Sequence, residues 1–103
     1  MQYRQGDVLV LSVDKTPKED LKEVPAENGK LILARGEATG HHHSVPSHVA
    51  KLFAAVAGLM ILKVAQETEL THQEHGPVKL PVGDYEVRVQ QEWSPLGWRQ
   101  VLD

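Results

Sequence analysis

Residues 85–93 read Tyr85, Glu86, Val87, Arg88, Val89, Gln90, Gln91, Glu92, Trp93, and no other stretch of the chain has so plain a period. Tyr85, Val87, Val89 and Trp93 fall on one face of an extended backbone and Glu86, Arg88, Gln90 and Glu92 on the other, with Gln91 the single polar interruption. A period of two with one apolar face is the pattern of a half-buried antiparallel strand. On its C-terminal side Pro95 and Gly97 turn the chain into a last strand, Trp98 to Leu102. On its N-terminal side Val82 and Gly83 form a turn, and Pro77 and Pro81 impose extended backbone on the residues before them.

The same reading extends outward. Thr68 to Thr71 is a short strand, and Leu59 to Val64 is rich in strand formers. Residues 49–57 also carry a helical stripe, Val49, Leu52, Phe53 and Val56. A hairpin turning at Ala57 and Gly58 is the favoured reading there. Asn28 and Gly29 signal a turn into the strand Leu31 to Ala34, and Val8 to Val13, apolar on alternate faces, reads as a central strand. Thr16, Pro17, Lys18 and Glu19 form a capping box with proline at the first helical position, predicting one short helix near residues 17–23 ahead of Pro25. The expectation is a mainly β fold, a small antiparallel barrel or sandwich with that one helix, forming a single β domain over residues 1–103.

Composition narrows the chemistry. The 103 residues include no cysteine, so disulfides, thiolate metal sites and thiol nucleophiles are absent. The formal charge is −3 with neutral histidines, and protonating all six histidines would make it +3, so no strong pull toward nucleic-acid phosphates follows. The apolar runs are far below the roughly 20 residues of a membrane span and the N-terminal one is too short and too acidic at its flanks for a signal peptide, which makes a cytoplasmic protein the expectation.

All six histidines lie between positions 41 and 75: His41, His42, His43, His48, His72 and His75. On extended backbone His41 and His43 point the same way and His42 the other. His72 and His75 are three apart, which brings rings together on a helical turn or a tight bend. If the segment between the two clusters returns as a hairpin, three or four imidazoles can surround a divalent cation. Zinc is the first expectation, with nickel, copper and iron as alternatives. Glu37 and Glu74 are the nearest carboxylates and are the catalytic candidates, as ligand, as partner orienting an imidazole or as general base. The bland alternative is that each is a solvated surface side chain, and His42 and His48 are assigned to that background.

The stretch Ala34, Arg35, Gly36, Glu37, Ala38, Thr39, Gly40, His41, His42, His43 resembles the GEATGHxH signature of small, largely uncharacterised bacterial and phage-borne proteins. The stretch from Leu70, LTHQEHGPVKLPVGDYEVRVQQEW, is similar to their second block, and the opening QGDVLV and closing WRQVLD also fit. The resemblance implies that His41, His43, His72 and His75 are the family's matching histidines, with Glu37, Glu74, Gln90 and Glu92 as polar companions. It implies no particular reaction.

Three functions follow as expectations. The first is a small metal-binding protein whose four histidines hold a divalent ion, with metal-assisted hydrolysis available if one coordination position is open. The second is a metal-free histidine acid/base ribonuclease or phosphodiesterase, with Arg35 or Lys51 as the nearest phosphate-binding cation. The third is a non-enzymatic regulatory or binding module. The partner is a small molecule or nucleotide of unspecified identity, with nucleic acid and a homo-oligomer left open and no membrane partner.

Overall fold

The computed structural model describes residues 1–14, 20–35, 41–55 and 58–89, together with the backbone of 91–94 and 97–100. The strands are β1 (Gln2–Gln5), β2 (Val8–Ser12), β3 (Lys22–Glu23), β4 (Lys30–Arg35), β5 (His42–Pro46), β6 (Ala50–Ala54), β7 (Met60–Val64), β8 (Thr68–Leu70), β9 (Val78–Leu80), β10 (Gly83–Val89), β11 (Gln91–Ser94) and β12 (Gly97–Gln100). Six of them form one sheet in the order β1-β2-β10-β7-β6-β3, and β4 with β5, β8 with β9 and β11 with β12 form two-stranded ladders. All these pairings are antiparallel.

The alternation from Tyr85 to Val89 sets the middle of the large sheet. Tyr85 and Val87 of β10 are buried while Arg88 is exposed. Antiparallel register then builds rows of apolar neighbours across the strands: Leu52 faces Leu62, Leu62 faces Tyr85, and Val87 faces Val10. Such directly opposed pairs are the unit of sheet stabilisation. β2 has neighbours on both sides, as a central strand should, although only Val8 and Val10 are fully buried and the Leu9 and Leu11 face is half-buried.

Leu31, Leu33, Ala34 and Val45 from the β4·β5 ladder and Leu70 and Leu80 from the β8·β9 ladder join the large sheet's apolar residues in one core cluster. The arrangement is therefore sandwich-like. The large sheet ends at β1 and β3 and does not close on itself, which decides between sandwich and barrel. The β4·β5 and β8·β9 ladders meet at an isolated bridge, in which Ser44 and Thr71 exchange backbone hydrogen bonds of 3.0 and 2.9 Å.

The turns follow residue chemistry where the sequence signalled them. Asn28 (φ 52°) and Gly29 (φ 77°) occupy the two central positions of a hairpin loop closed by Glu27 and Lys30. Two successive positive φ values are what a type I′ turn demands and why Asn-Gly serves it. Residues 50–54 are strand and not helix, and they pair with β7 through a turn that includes Gly58.

The helix expected near residues 17–23 is corrected by the structure at its C-terminal end. Lys22 and Glu23 are a strand that pairs with Ala54 and Phe53, and the Val24 amide donates to the Leu52 carbonyl at 2.8 Å. The physical reason is that a helix of about seven residues is too short to sustain itself, whereas the open edge of β6 offers ready backbone partners. Two exposed charged side chains on that strand also suit a sheet edge. The proposed cap, Thr16 to Glu19, lies outside the described residues. No helix among the described residues is long and apolar enough to cross a membrane.

Candidate functional site

The bridge between Ser44 and Thr71 brings the two histidine clusters together. Counting outward from it in antiparallel register sets His43 opposite His72, His42 opposite Gln73 and His41 opposite Glu74. The contacts agree at each step. The rings of His43 and His72 lie 4.4 Å apart between centroids. The His42 amide donates to Gln73 Oε1 at 2.8 Å. His41 Nδ1 lies 3.4 Å from Glu74 Oε1.

Alternation along the strand separates the three adjacent histidines. His43 shares a face with Val45 and is fully buried. His42 turns the other way and lines a cleft of about 150 Å³ with Glu27, Asn28, Lys30, Ile32 and Arg35. His41 re-enters the cluster, its ring 5.5 Å from that of His72. A tight bend over residues 73–75 brings His75 back, with ring centroids 4.6 Å from His72 and 5.9 Å from His43. The four histidines selected from the sequence thus meet in space. His48 stands exposed in the turn after β5.

Two further residues complete the deep side, and neither was selected from the sequence. Gln5 and Asp7 flank Gly6, whose φ of 57° suits the first central position of a two-residue hairpin joining β1 to β2. Both side chains are buried. Gln5 Nε2 donates to the Leu70 carbonyl at 2.9 Å and the Gly76 carbonyl at 2.8 Å, fastening both ends of the loop that carries His72 and His75. Its Oε1 lies 3.0 Å from His43 Nδ1, and Asp7 Oδ1 lies 3.0 Å from His43 Nε2. In the sequence they stand in the opening QGDVLV, which carries family likeness and an apolar strand but no site signal.

These hydrogen bonds restrict the rings. Both donor hydrogens of the Gln5 amide point at carbonyls, so its oxygen can only accept, and His43 Nδ1 must carry a hydrogen. His72 Nδ1 instead accepts from the Glu74 amide at 3.0 Å and the His75 amide at 3.3 Å, so its lone pair is in use. Glu74 is exposed and reaches the cluster through His41. Glu37 and Gln90 lie outside the described residues, as does the side chain of Glu92. Of the cations considered for phosphate, Arg35 is paired with Glu27 on the far side of His42 and Lys51 is exposed. Among the described residues, no three histidine, aspartate or glutamate side chains form a ready-made metal cage.

Comparison with known families adds one finding. Residues 4–90 match a domain of unknown function, DUF8820. The chain belongs to the DUF8820 family. That match runs from β1 to the end of β10 and so takes in Gln5, Asp7 and all four clustered histidines of the DUF8820 domain. It agrees with the resemblance to an uncharacterised family, and like that resemblance it carries no activity. No curated protein and no solved structure matches the DUF8820 chain significantly.

Proposed function

We propose that this chain is a small β-sandwich metal-binding protein, with a divalent ion held by His41, His43, His72 and His75. The observation that carries the reading is the packing of four imidazoles with neighbouring ring centroids 4.4 to 5.9 Å apart. Four imidazoles at that separation gather several nitrogen donors in one place, which is the donor type a divalent first-row ion takes. The donor set of nitrogen and carboxylate oxygen, without thiolate, suits zinc first and also nickel, copper or iron. Such an ion, when bound, supplies Lewis acidity and a more acidic bound water.

The chain's own residues have defined tasks in this reading. His43 already has the arrangement of a metal-binding imidazole, with its remote nitrogen donating to a fixed acceptor. His72 Nδ1 accepts from the amides of Glu74 and His75, so His72 would hold an ion through that nitrogen only with its ring released from the bend over residues 73–75. Glu74 orients His41 or serves as a base at the half-exposed rim, and Glu37 retains the same pair of candidate roles.

The experiment is metal analysis of protein purified without a nickel column, followed by calorimetric titration with zinc chloride. One ion per chain is expected. The double variant His41→Ala/His75→Ala should weaken zinc binding by more than the roughly 10- to 100-fold that loss of an outer partner costs, and His42→Ala should leave it unchanged. Absence of metal together with absence of binding heat would overturn the reading.

A second reading is favoured by the same hydrogen bonds, since both nitrogens of His43 and Nδ1 of His72 already have partners without any ion. In it the half-exposed His41, paired with Glu74, exchanges protons with a phosphodiester substrate. Ribonuclease or phosphodiesterase activity that survives chelator would favour it over the metal reading.

A further inference from the structure

We infer that the outer side of the β4·β5 ladder carries a basic path for the phosphates of a single-stranded nucleic acid, separate from the four clustered histidines and independent of the metal reading. Alternation sets it up. His43 and Val45 are buried, so His42, Ser44 and Pro46 take the opposite side of β5. Register then sets Arg35 against His42, Ile32 against Ser44 and Lys30 against Pro46. The cleft of about 150 Å³ around Arg35 and His42 shares Asn28 and Lys30 with a neighbour of about 250 Å³ that reaches Pro46 and His48. His48 in turn borders a third cleft, of about 360 Å³, lined by Lys51 and Lys63 of the large sheet. The path thus takes in the two histidines that the cluster leaves out.

Its charge is one-sided. Lys30, Arg35, Lys51 and Lys63 stand along it against two carboxylates, Glu27 and Asp84, and Glu27 is already paired with Arg35. Lys51 and Lys63 are directly opposed on β6 and β7, and both point outward because Leu52, Leu62 and Val64 are buried. Like charges in that position are destabilising, and a bound anion removes the cost. Among the described residues neither ammonium makes a hydrogen bond or ion pair, and that of Lys63 lies 5.8 Å from the centre of the Phe53 ring. Local charge of this kind attracts a polyanion even though the whole chain carries −3.

The shape selects among polyanions. His42 and Pro46 are about 13 Å apart along β5, which exceeds one phosphate group and suits a chain of them. Ile32 and Pro46 place apolar surface between the cations, where sugar and base can rest. From the face of one layer the path turns to the end of the other. A flexible single strand follows such a turn, whereas a duplex resists bending.

The test is fluorescence anisotropy of a labelled oligouridylate of about 12 nucleotides with the full chain, over a range of sodium chloride. A duplex, inorganic polyphosphate and oligoglutamate serve as competitors. The wild type should bind, with log K falling against log salt at a slope of about −2 to −3, roughly 0.7 for each phosphate contact. Lys51→Ala/Lys63→Ala should bind at least about 10-fold more weakly at low salt and lower the slope by about 1.4. Lys30→Ala should lower it by about 0.7. Lys22→Ala, on β3 and outside the three clefts, should leave the slope unchanged. Absence of wild-type binding at low salt would overturn the inference, as would a wild-type slope in the double variant. Tighter binding of the duplex, the polyphosphate or the oligoglutamate than of the single strand would also sink it. Zinc titration of the same protein reads the metal proposal separately, so either can fail without the other.

Discussion

The six-stranded sheet and the histidine junction hold themselves together by opposite means. Across the sheet, opposed apolar side chains such as Leu52, Leu62 and Tyr85 are backed by continuous ladders, so cohesion is spread over many equivalent contacts. At the junction, a few specific polar contacts hold the segments that bear the histidines, among them the backbone bridge between Ser44 and Thr71, the buried Gln5 amide and the Gln73 side chain on the His42 amide. The difference separates stability from placement. The sheet can lose a contact and lose only free energy, whereas the junction can lose one and lose the alignment of a site.

Leu62→Ala should produce the largest effect, because Leu62 is fully buried between β6 and β10. A loss of about 2 to 5 kcal/mol is expected, measured by urea denaturation. The surviving folded protein should keep the His42 amide protected by Gln73, and loss of that protection in the folded state would erase the contrast between the two regions.

Tyr85 sharpens the sheet side of the comparison. Burial pushes its phenol above the ordinary value of about 10, with nearby Tyr3 adding to the effect. Its hydroxyl donates to the Pro81 carbonyl at 2.6 Å. Because the native state keeps this proton after the unfolded chain has released it, stability is present in full below about pH 10 and falls as pH rises toward the folded value. Tyr85→Phe should cost about 0.5 to 1.5 kcal/mol at neutral pH and flatten the alkaline decline. An unchanged pH slope in the variant would assign that decline to other groups.

Gln73→Ala should have the smallest effect on stability, since its contact with the His42 amide is exposed. A change of no more than about 1 kcal/mol is expected, together with faster hydrogen exchange at the His42 amide. Unchanged exchange would mean that the bridge alone holds this end of the junction.

These two regions were also unequally legible in the sequence. The alternation from Tyr85 to Val89, the Asn28-Gly29 turn and the β6·β7 hairpin were readable because their signals are local. Alternation also separated His42 from His41 and His43 correctly. The edge strand Lys22–Glu23 was missed because a local capping signal competed with a pairing to β6, which no local pattern announces. Gln5 and Asp7 were missed for a related reason. A glutamine and an aspartate beside a glycine look like turn residues, and their partners stand 38 and 36 positions away.

The Ser44–Thr71 bridge has a consequence for how this chain tolerates change. Side chains on paired strands obey parity: moving β5 by one position against its neighbour would exchange odd for even and bring His42 inward while sending His41 and His43 out. Substitutions in the connecting loops leave that parity alone, and an insertion or deletion of one residue within the paired segments inverts it. A run of three histidines means that the wrong parity still offers an imidazole, but only one where the right parity offers two.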